Sequence, residues 1–246
     1  PLITKMRPMS KYSISLYFLF CSCFASYSQI SMQETPTDSV KFTEKYGLRL
    51  GGDLSKLLKS FIDDNYSGFE INGDYRLTKN IYVASEIGFE EYTTTNSSLS
   101  STASGSYLKG GFDYNMYANW FGMENMIFAG FRVGVSSFKQ ILTSYTVYQT
   151  DQSWPSSTIN PGTEFSGLNA IWGELLIGIK AELFTNLYIG ANVQLKGRAS
   201  EKEPDNFENI YVPGFGRTYD SGSFGINFGY NVSYLIPIYK KNNKSK

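Results

Sequence analysis

The chain has 246 residues, and its 22 Lys and Arg residues balance its 22 Asp and Glu residues, so its formal net charge is zero. This balance argues against a nucleic-acid-binding protein, because such proteins need excess positive charge to neutralise phosphates. An aromatic content of 16% excludes wholesale disorder. The sequence contains no His, the side chain most used for proton transfer and metal binding.

Residues 1–28 are predicted to be a signal peptide for export. Basic residues precede an apolar stretch over 12–25, which has the length of a signal-peptide core and is too short to span a bilayer as a helix. Small residues then favour cleavage before Gln29. Because the chain opens with Pro, we expect translation to start at Met6 or Met9.

Both cysteines of the sequence, Cys21 and Cys23, lie inside this segment. The mature protein is therefore expected to form no disulfide and no cysteine-based metal site. Cys23 follows Ser22, which leaves a lipoprotein anchor as an alternative to simple cleavage. Residues 29–44 are interpreted as an N-terminal periplasmic segment.

Alternating apolar and polar residues occupy most of residues 45–239. In the clearest segment, Phe69 and Ile71 fall on one face of a strand, and Glu70 and Arg76 fall on the other. The predicted strands are 46–54, 69–77, 81–92, 107–116, 126–138, 172–183, 187–198 and 224–234. Strands of about ten residues in even number are typical of outer-membrane proteins. The pattern predicts an all-β fold, an eight-stranded antiparallel up-and-down transmembrane β-barrel, followed by a basic tail over 240–246.

The predicted connections alternate in length, which favours this interpretation. The short ones are 78–80, 119–125 and 185–186, and the long ones are 55–67, 94–102, 142–165 and 199–223. Outer-membrane barrels have short periplasmic turns and long extracellular loops. We therefore expect the two longest loops to make the protein's functional contacts. The candidate contact residues in them are Trp154, Phe207, Tyr211, Arg217 and Tyr219.

Alternation alone leaves open which face of the strands points inward. A soluble or lipid-tethered periplasmic barrel of the lipocalin type would turn its apolar face inward around an apolar small molecule. The membrane alternative is favoured by glycines on the polar face, which leave room for long polar side chains in a narrow interior. It is also favoured by two belts of aromatic residues, of the kind selected by the two interfaces of a bilayer.

In the membrane interpretation the polar face lines the interior and carries charges of both signs. The predicted ionic network comprises Arg49, Asp53, Glu70, Asp74, Arg76, Glu86, Lys109, Asp113, Arg132, Glu174, Lys180, Glu182, Lys196 and Arg198, and Glu90 falls on the same face. An eight-stranded barrel is only wide enough for its own side chains. We therefore predict a structural, non-conducting network of ion pairs, with a proton or ion path as the alternative.

The sequence points to a non-enzymatic protein without cofactors. Without His, the nucleophilic arrangements used for acyl transfer and proteolysis are absent. Acidic residues of the last loop leave calcium binding as an alternative, and they are Glu201, Glu203, Asp205, Glu208 and Asp220. The expected partners are lipid of the cell outer membrane, the barrel-insertion machinery during biogenesis, and an extracellular or envelope partner.

Several strings carry a resemblance to a known family. They are YGLRLGGDLSKLLKSFIDD, GDYRLTKNIYVASEIG, FDYNMYANWFGMENMIFAGFRVG, PGTEFSGLNAIWGELLIGIKAE and EKEPDNFENIYVPGFGRTYDSGSFG. Over nearly all of residues 45–240, the chain resembles an uncharacterised Bacteroidetes outer-membrane β-barrel family described as a domain of unknown function. The resemblance implies export in a Gram-negative bacterium and no particular activity. The last strand also resembles the signal read by the barrel-insertion machinery, in Asn227, Gly229, Val232 and Tyr234.

Overall fold

The computed structural model describes residues 43–117, 124–147, 158–205, 207–218 and 222–242. The predicted signal peptide and Cys23 lie outside these ranges. The strands are β1 (Thr43–Asp53), β2 (Tyr66–Arg76), β3 (Ile81–Thr95), β4 (Leu99–Asn115), β5 (Met126–Thr146), β6 (Thr158–Ile159), β7 (Thr163–Phe184), β8 (Leu187–Glu201), β9 (Tyr211–Val212), β10 (Gly216–Arg217) and β11 (Phe224–Asn242). One helix, α1 (Leu54–Ile62), connects β1 to β2.

Eight long antiparallel strands close into a ring. Going round the ring, β1, β2, β3, β4, β5, β7, β8 and β11 each pair with the next, and β11 pairs with β1. The closing pair runs from Thr43 opposite Asn242 to Asp53 opposite Asn231. The two short strands β9 and β10 form a separate hairpin. The predicted all-β class and the eight antiparallel strands in chain order are thus confirmed.

The alternating sequence places charged side chains inside the ring and apolar side chains outside it. Successive residues of a strand point to opposite faces, so alternate positions share one environment. Along β7, Glu174 is 1% exposed whereas Ile177 is 65% exposed. Along β11, Phe228 is 63% exposed, and along β4, Lys109 is 1% exposed. The charged face of the ring therefore lies inside and the apolar face outside, which is the reverse of the arrangement in a water-soluble protein.

Glycines inside the ring make room for aromatic rings on the neighbouring strand. Gly134 of β5 lies opposite Trp172 of β7, and Gly88 of β3 lies opposite Tyr107 of β4. Trp172 is 1% exposed, and its indole Nε1 donates a hydrogen bond to Glu174 Oε1 at 2.7 Å. The interior is filled by these rings and by charged side chains together.

We expect Gly134→Ala to lower the free energy of unfolding by about 1–3 kcal/mol, the usual effect of overpacking a filled interior. A Cβ at this position would lie 2.3 Å from the Trp172 ring. Gly110→Ala is the matched control, because Gly110 lies on the outer face of β4 and a Cβ there meets nothing within 4 Å. Denaturant unfolding of both variants checks this, and equal destabilisation would contradict the close contact at Gly134.

All four of the predicted long loops contain some regular structure. Residues 142–165 include the end of β5, β6 and the start of β7, and residues 199–223 include the end of β8 together with β9 and β10. Residues 55–67 were expected to be a loop, but they include most of α1, whose N-cap Asp53 accepts a hydrogen bond from Ser55 N at 2.7 Å. Residues 94–102 were also expected to be a loop, but β3 continues to Thr95 and β4 begins at Leu99. No helix in the described ranges is long and apolar enough to cross a membrane.

The hairpin β9–β10 folds into the mouth of the ring. Val212 is fully buried and Phe215 is 3% exposed, and both pack in an apolar cluster with Tyr107 and Trp172. The ring of Phe215 meets that of Trp172 edge-on at 6.1 Å. Part of the last long connection therefore plugs one end of the ring.

Candidate functional site

A chain of ion pairs runs through the interior of the ring. At the end near the short turns, Arg49 contacts Asp74 at 2.7 Å through a guanidinium that donates to both carboxylate oxygens. Asp74 also contacts Lys180 at 2.7 Å, and Lys180 lies 3.6 Å from Asp113. Asp113 in turn contacts Arg132 at 2.7 Å. Arg49 thus ends the chain, and Asp74, Lys180 and Asp113 each link two oppositely charged neighbours.

The same chain continues towards the plugged end. Arg132 lies 3.4 Å from Glu86, which contacts Lys109 at 2.8 Å. Lys109 Nζ also lies 3.2 Å from Glu70 and 3.8 Å from Glu174. Glu174 then contacts Lys196 at 3.3 Å. Lys109 is the branch point, because three carboxylates share its ammonium group.

Helix α1 supplies the last cation, Lys56. This side chain contacts Glu90 and lies 3.8 Å from Glu70. Burial lowers the pKa of Lys56, but the charges of Glu90 and Glu70 more than offset it, so the pKa is raised above its usual value. The complete network has six cations, Arg49, Lys56, Lys109, Arg132, Lys180 and Lys196, and six carboxylates, Glu70, Asp74, Glu86, Glu90, Asp113 and Glu174.

Glu90 anchors the plug to this network. Its carboxylate accepts hydrogen bonds from the hydroxyls of Tyr66 and Tyr211, at 3.0 and 2.8 Å, and from Gly214 N at 2.8 Å. Burial and the charge of Glu90 raise the pKa of Tyr211 well above its usual value, so the phenol keeps its proton. Lys196 Nζ also donates to Gly214 O at 2.6 Å. The hairpin is therefore held from both sides.

Four residues of the predicted network lie elsewhere. Asp53 caps α1, and Arg198 contacts Glu201 at 2.8 Å near the long-loop end. Arg76 contacts Glu44 at 3.1 Å, and Glu182 contacts Lys45 at 3.0 Å, both near the short-turn end. The sequence prediction does not include Lys56, because alternation predicts a loop over residues 55–67. A helical apolar spacing in that segment was the signal that would have found it.

The part of the interior that Asp74, Asp113 and Arg132 line has little free volume. A cavity of about 30 Å³ is lined by network residues, among them Asp74, Glu86, Asp113, Arg132 and Lys180. One water molecule needs about 10–15 Å³ of such space, so this cavity has room for a few water molecules and for no larger solute. The charged side chains thus fill the space that they line.

The predicted loop contacts occupy different environments. Phe207 is half-buried and stacks on Phe165 with ring centroids 5.8 Å apart. Tyr211 is 6% exposed and faces inward to Glu90, which removes it from the outer surface. Arg217 is exposed at the tip of β10. Trp154 and Tyr219 lie outside the described residues.

The loop carboxylates considered for calcium do not form a cluster in the described ranges. Glu201 is engaged by Arg198 at 2.8 Å and by the amide of Asn209 at 3.0 Å. Within these ranges no group of three or more Asp, Glu, Cys or His residues is placed to hold a metal ion. Asp220 lies outside the described residues.

Comparisons with known proteins give a family and a distant structural likeness. A family model described as "Domain of unknown function (DUF6048)" matches residues 9–241. No curated protein sequence matches the chain. Among solved structures, the chain is similar to the crystal structure of Acinetobacter baumannii CarO2, at 9% sequence identity and a TM-score of 0.35, over 79% of this chain and 99% of that chain. Neither comparison assigns a function to this chain.

Proposed function

The chain belongs to the family described as a domain of unknown function (DUF6048), and we propose that it is a small, non-enzymatic outer-membrane β-barrel. In this proposal the interior is a salt-bridged, non-conducting core. The long connections face the cell exterior and serve interaction with a partner or envelope integrity.

The polarity of the two faces of the ring carries this proposal. Every strand of the ring exposes at least one large apolar side chain on its outer face, while six carboxylates and six cations are paired inside. The outer residues include Leu50, Ile71, Ile87, Leu108, Val133, Ile177, Val193 and Phe228. Contiguous apolar surface of this extent is unfavourable in water and suits the hydrocarbon of a bilayer. A lipocalin-type ligand barrel would need the opposite arrangement.

The filled interior supports a non-conducting role. An open aqueous channel requires many more strands than eight. Here the ion pairs leave a cavity of about 30 Å³, and the β9–β10 hairpin buries Val212 and Phe215 at the other end.

The lack of an enzymatic site is proposed from the state of the carboxylates. Glu86, Glu90 and Glu174 each contact a cation inside the ring, so none is placed as a free acid or base facing a substrate cleft. The sequence has no His to replace them.

Electrophoresis of the full chain, isolated from the membrane fraction in detergent, tests the proposal. We expect the unheated protein to migrate as a compact species and the boiled protein to migrate as an unfolded chain, because the closed ring resists detergent until heated. Recovery of the folded protein in the soluble fraction without detergent would contradict a membrane barrel.

A further inference from the structure

The wall of the ring has a notch at its long-loop end. β1 stops at Asp53, opposite Asn231, so residues 224–230 of β11 pair with β8 alone. On the other side of the notch, residues 66–70 of β2 pair with β3 alone. An unpaired stretch of backbone edge thus borders each side of the gap.

Helix α1 occupies the notch and is fastened on one side. Ser60 Oγ donates to Gly68 O at 3.2 Å and accepts from Gly68 N at 2.9 Å, which ties α1 to β2. Lys56 ties the helix to Glu90 inside the ring. In the part of the chain that the structure describes, no hydrogen bond joins α1 to β11. The seam between α1 and β11 therefore lacks the side-chain hydrogen bonds that fasten α1 to β2, although the two elements are in contact.

A cavity of about 730 Å³ lies at this seam. Its lining includes α1, β11, β2, β3 and the plug hairpin, so it reaches from the interior to the outer surface. Its inner wall carries Tyr66 and Tyr211, and its outer wall carries Phe224, Ile226 and Phe228, which are 72%, 65% and 63% exposed. The volume lies in the range of small-molecule sites, about 300–1,000 Å³.

The charge of this cavity is positive. Lys56 and Glu90 of its lining neutralise each other, whereas Lys59 and Arg217 have no carboxylate within 4.0 Å among the described residues. Lys59 Nζ lies 4.0 Å from the ring centre of Tyr66 and 4.7 Å from that of Tyr92, which fixes it against the cavity wall. Burial lowers the pKa of Lys59, the charges of Glu90 and Asp63 raise it, and the positive charges of Lys56 and Arg217 lower it again, so it ends below its usual value. The lining thus carries three cations, Lys56, Lys59 and Arg217, against one carboxylate, Glu90.

We infer that this cavity binds a single-chain amphiphile with an anionic head group, either a phosphate or a carboxylate. The head group lies between Lys59 and Arg217, and the alkyl chain lies along Phe224, Ile226 and Phe228 of β11. The inference rests on the proposed function, because those three residues face lipid only if the ring spans a membrane. The ligand then enters sideways from the bilayer through the seam between α1 and β11.

Electron paramagnetic resonance of the full chain in phosphatidylcholine vesicles tests this site. The probe is spin-labelled lysophosphatidic acid, and the matched control probe is spin-labelled lysophosphatidylcholine, which has the same chain and no net charge. We expect the anionic probe to show a saturable immobilised fraction of about one per chain that the control probe lacks. Unlabelled dodecyl phosphate or oleate should displace it, and inorganic phosphate alone should not.

Variants separate the two halves of the site. Lys59→Ala with Arg217→Ala should weaken binding of the anionic probe at least tenfold. Lys139→Ala with Lys241→Ala removes two exposed cations outside the cavity lining and should leave binding unchanged. Phe228→Ala should weaken binding severalfold, and Ile177→Ala, at an equally exposed outer position of β7, should not.

Equal immobilisation of both probes would overturn the inference, as would displacement by neither amphiphile or full binding by the Lys59/Arg217 variant. Failure of the proposed function looks different, because the chain would then show no heat-dependent mobility shift and no incorporation into vesicles. A chain that passes both of those checks and still shows no saturable anionic probe would disprove the site alone.

Discussion

Replacing Lys109 with methionine should lower the free energy of unfolding by about 3–5 kcal/mol, the usual effect of breaking a buried ion pair from one side. Lys109 is 1% exposed and lies within 4 Å of Glu70, Glu86 and Glu174. Methionine fills similar space without a charge, so three carboxylates lose a shared partner while packing is nearly kept. Denaturant unfolding in lipid vesicles measures the difference.

Lys139→Met is the matched control for this variant. Lys139 also lies in a strand and also contacts a carboxylate, Glu164 at 3.4 Å, but its side chain is 46% exposed. Exposed ion pairs contribute about 0–1 kcal/mol, so this change should be nearly neutral. Equal unfolding midpoints for the two variants would contradict a buried network.

The same network predicts a partial rescue. Adding Glu70→Gln to Lys109→Met removes one of the three negative charges that lose Lys109 as a partner, and the double variant should be more stable than Lys109→Met alone. Because the two side chains lie 3.2 Å apart, their effects should not add. If the losses of unfolding free energy caused by the two single changes instead added up, Glu70 and Lys109 would not interact.

The ring was predictable from the sequence because two-residue periodicity is a strong local signal. From Phe69 to Arg76 apolar and polar residues alternate except at Gly73, and the structure keeps that stretch in β2. Strand ends were less predictable. Residues 94–102 are polar apart from Leu99, so they show no alternation, yet most of them extend β3 and β4. Thr is favoured in strands, and this was the available local signal.

Helix α1 was missed although the sequence carries its pattern. Leu54, Leu57, Leu58 and Phe61 follow the helical spacing, and Asp53 is a favoured N-cap residue. Its position between two predicted strands favours a loop, and its short length leaves the helical pattern weak. Its unusual feature is that the apolar side faces out, with Phe61 86% exposed, while Lys56 points inward. Like the strands of the ring, the helix thus has its apolar side outside and a charged side chain inside.

Alternation predicts which charged side chains face inward, but it does not predict which of them form ion pairs. Lys109 and Glu86 lie directly opposite each other on β4 and β3, which register alone predicts. Lys180 and Asp74 lie on β7 and β2, which are not neighbours in the ring, so their 2.7 Å contact exists only after closure. Tyr211 likewise reaches Glu90 only because the plug folds inward.

Ile177→Arg should lower the free energy of unfolding in vesicles by about 2–4 kcal/mol, the effect of a cation at the middle of a bilayer. Ile177 is 65% exposed on the outer face of β7. It lies seven residues before the strand ends at Phe184. At about 3.3 Å per residue and a tilt near 40°, this is roughly 18 Å from the short-turn rim, about 5 Å from the middle of an apolar band about 25 Å tall.

Leu183→Arg is the matched control on the same strand and face. Leu183 is 58% exposed, but it lies next to Phe184 at the rim, where a cation reaches the interface. There the same change should alter stability by about 0–1 kcal/mol. If water surrounded the ring, the two variants would have the same free energy of unfolding, because both side chains are exposed to a similar extent. Ile177→Arg is more destabilising than Leu183→Arg only if the surroundings of β7 change from hydrocarbon at Ile177 to the membrane interface at Leu183.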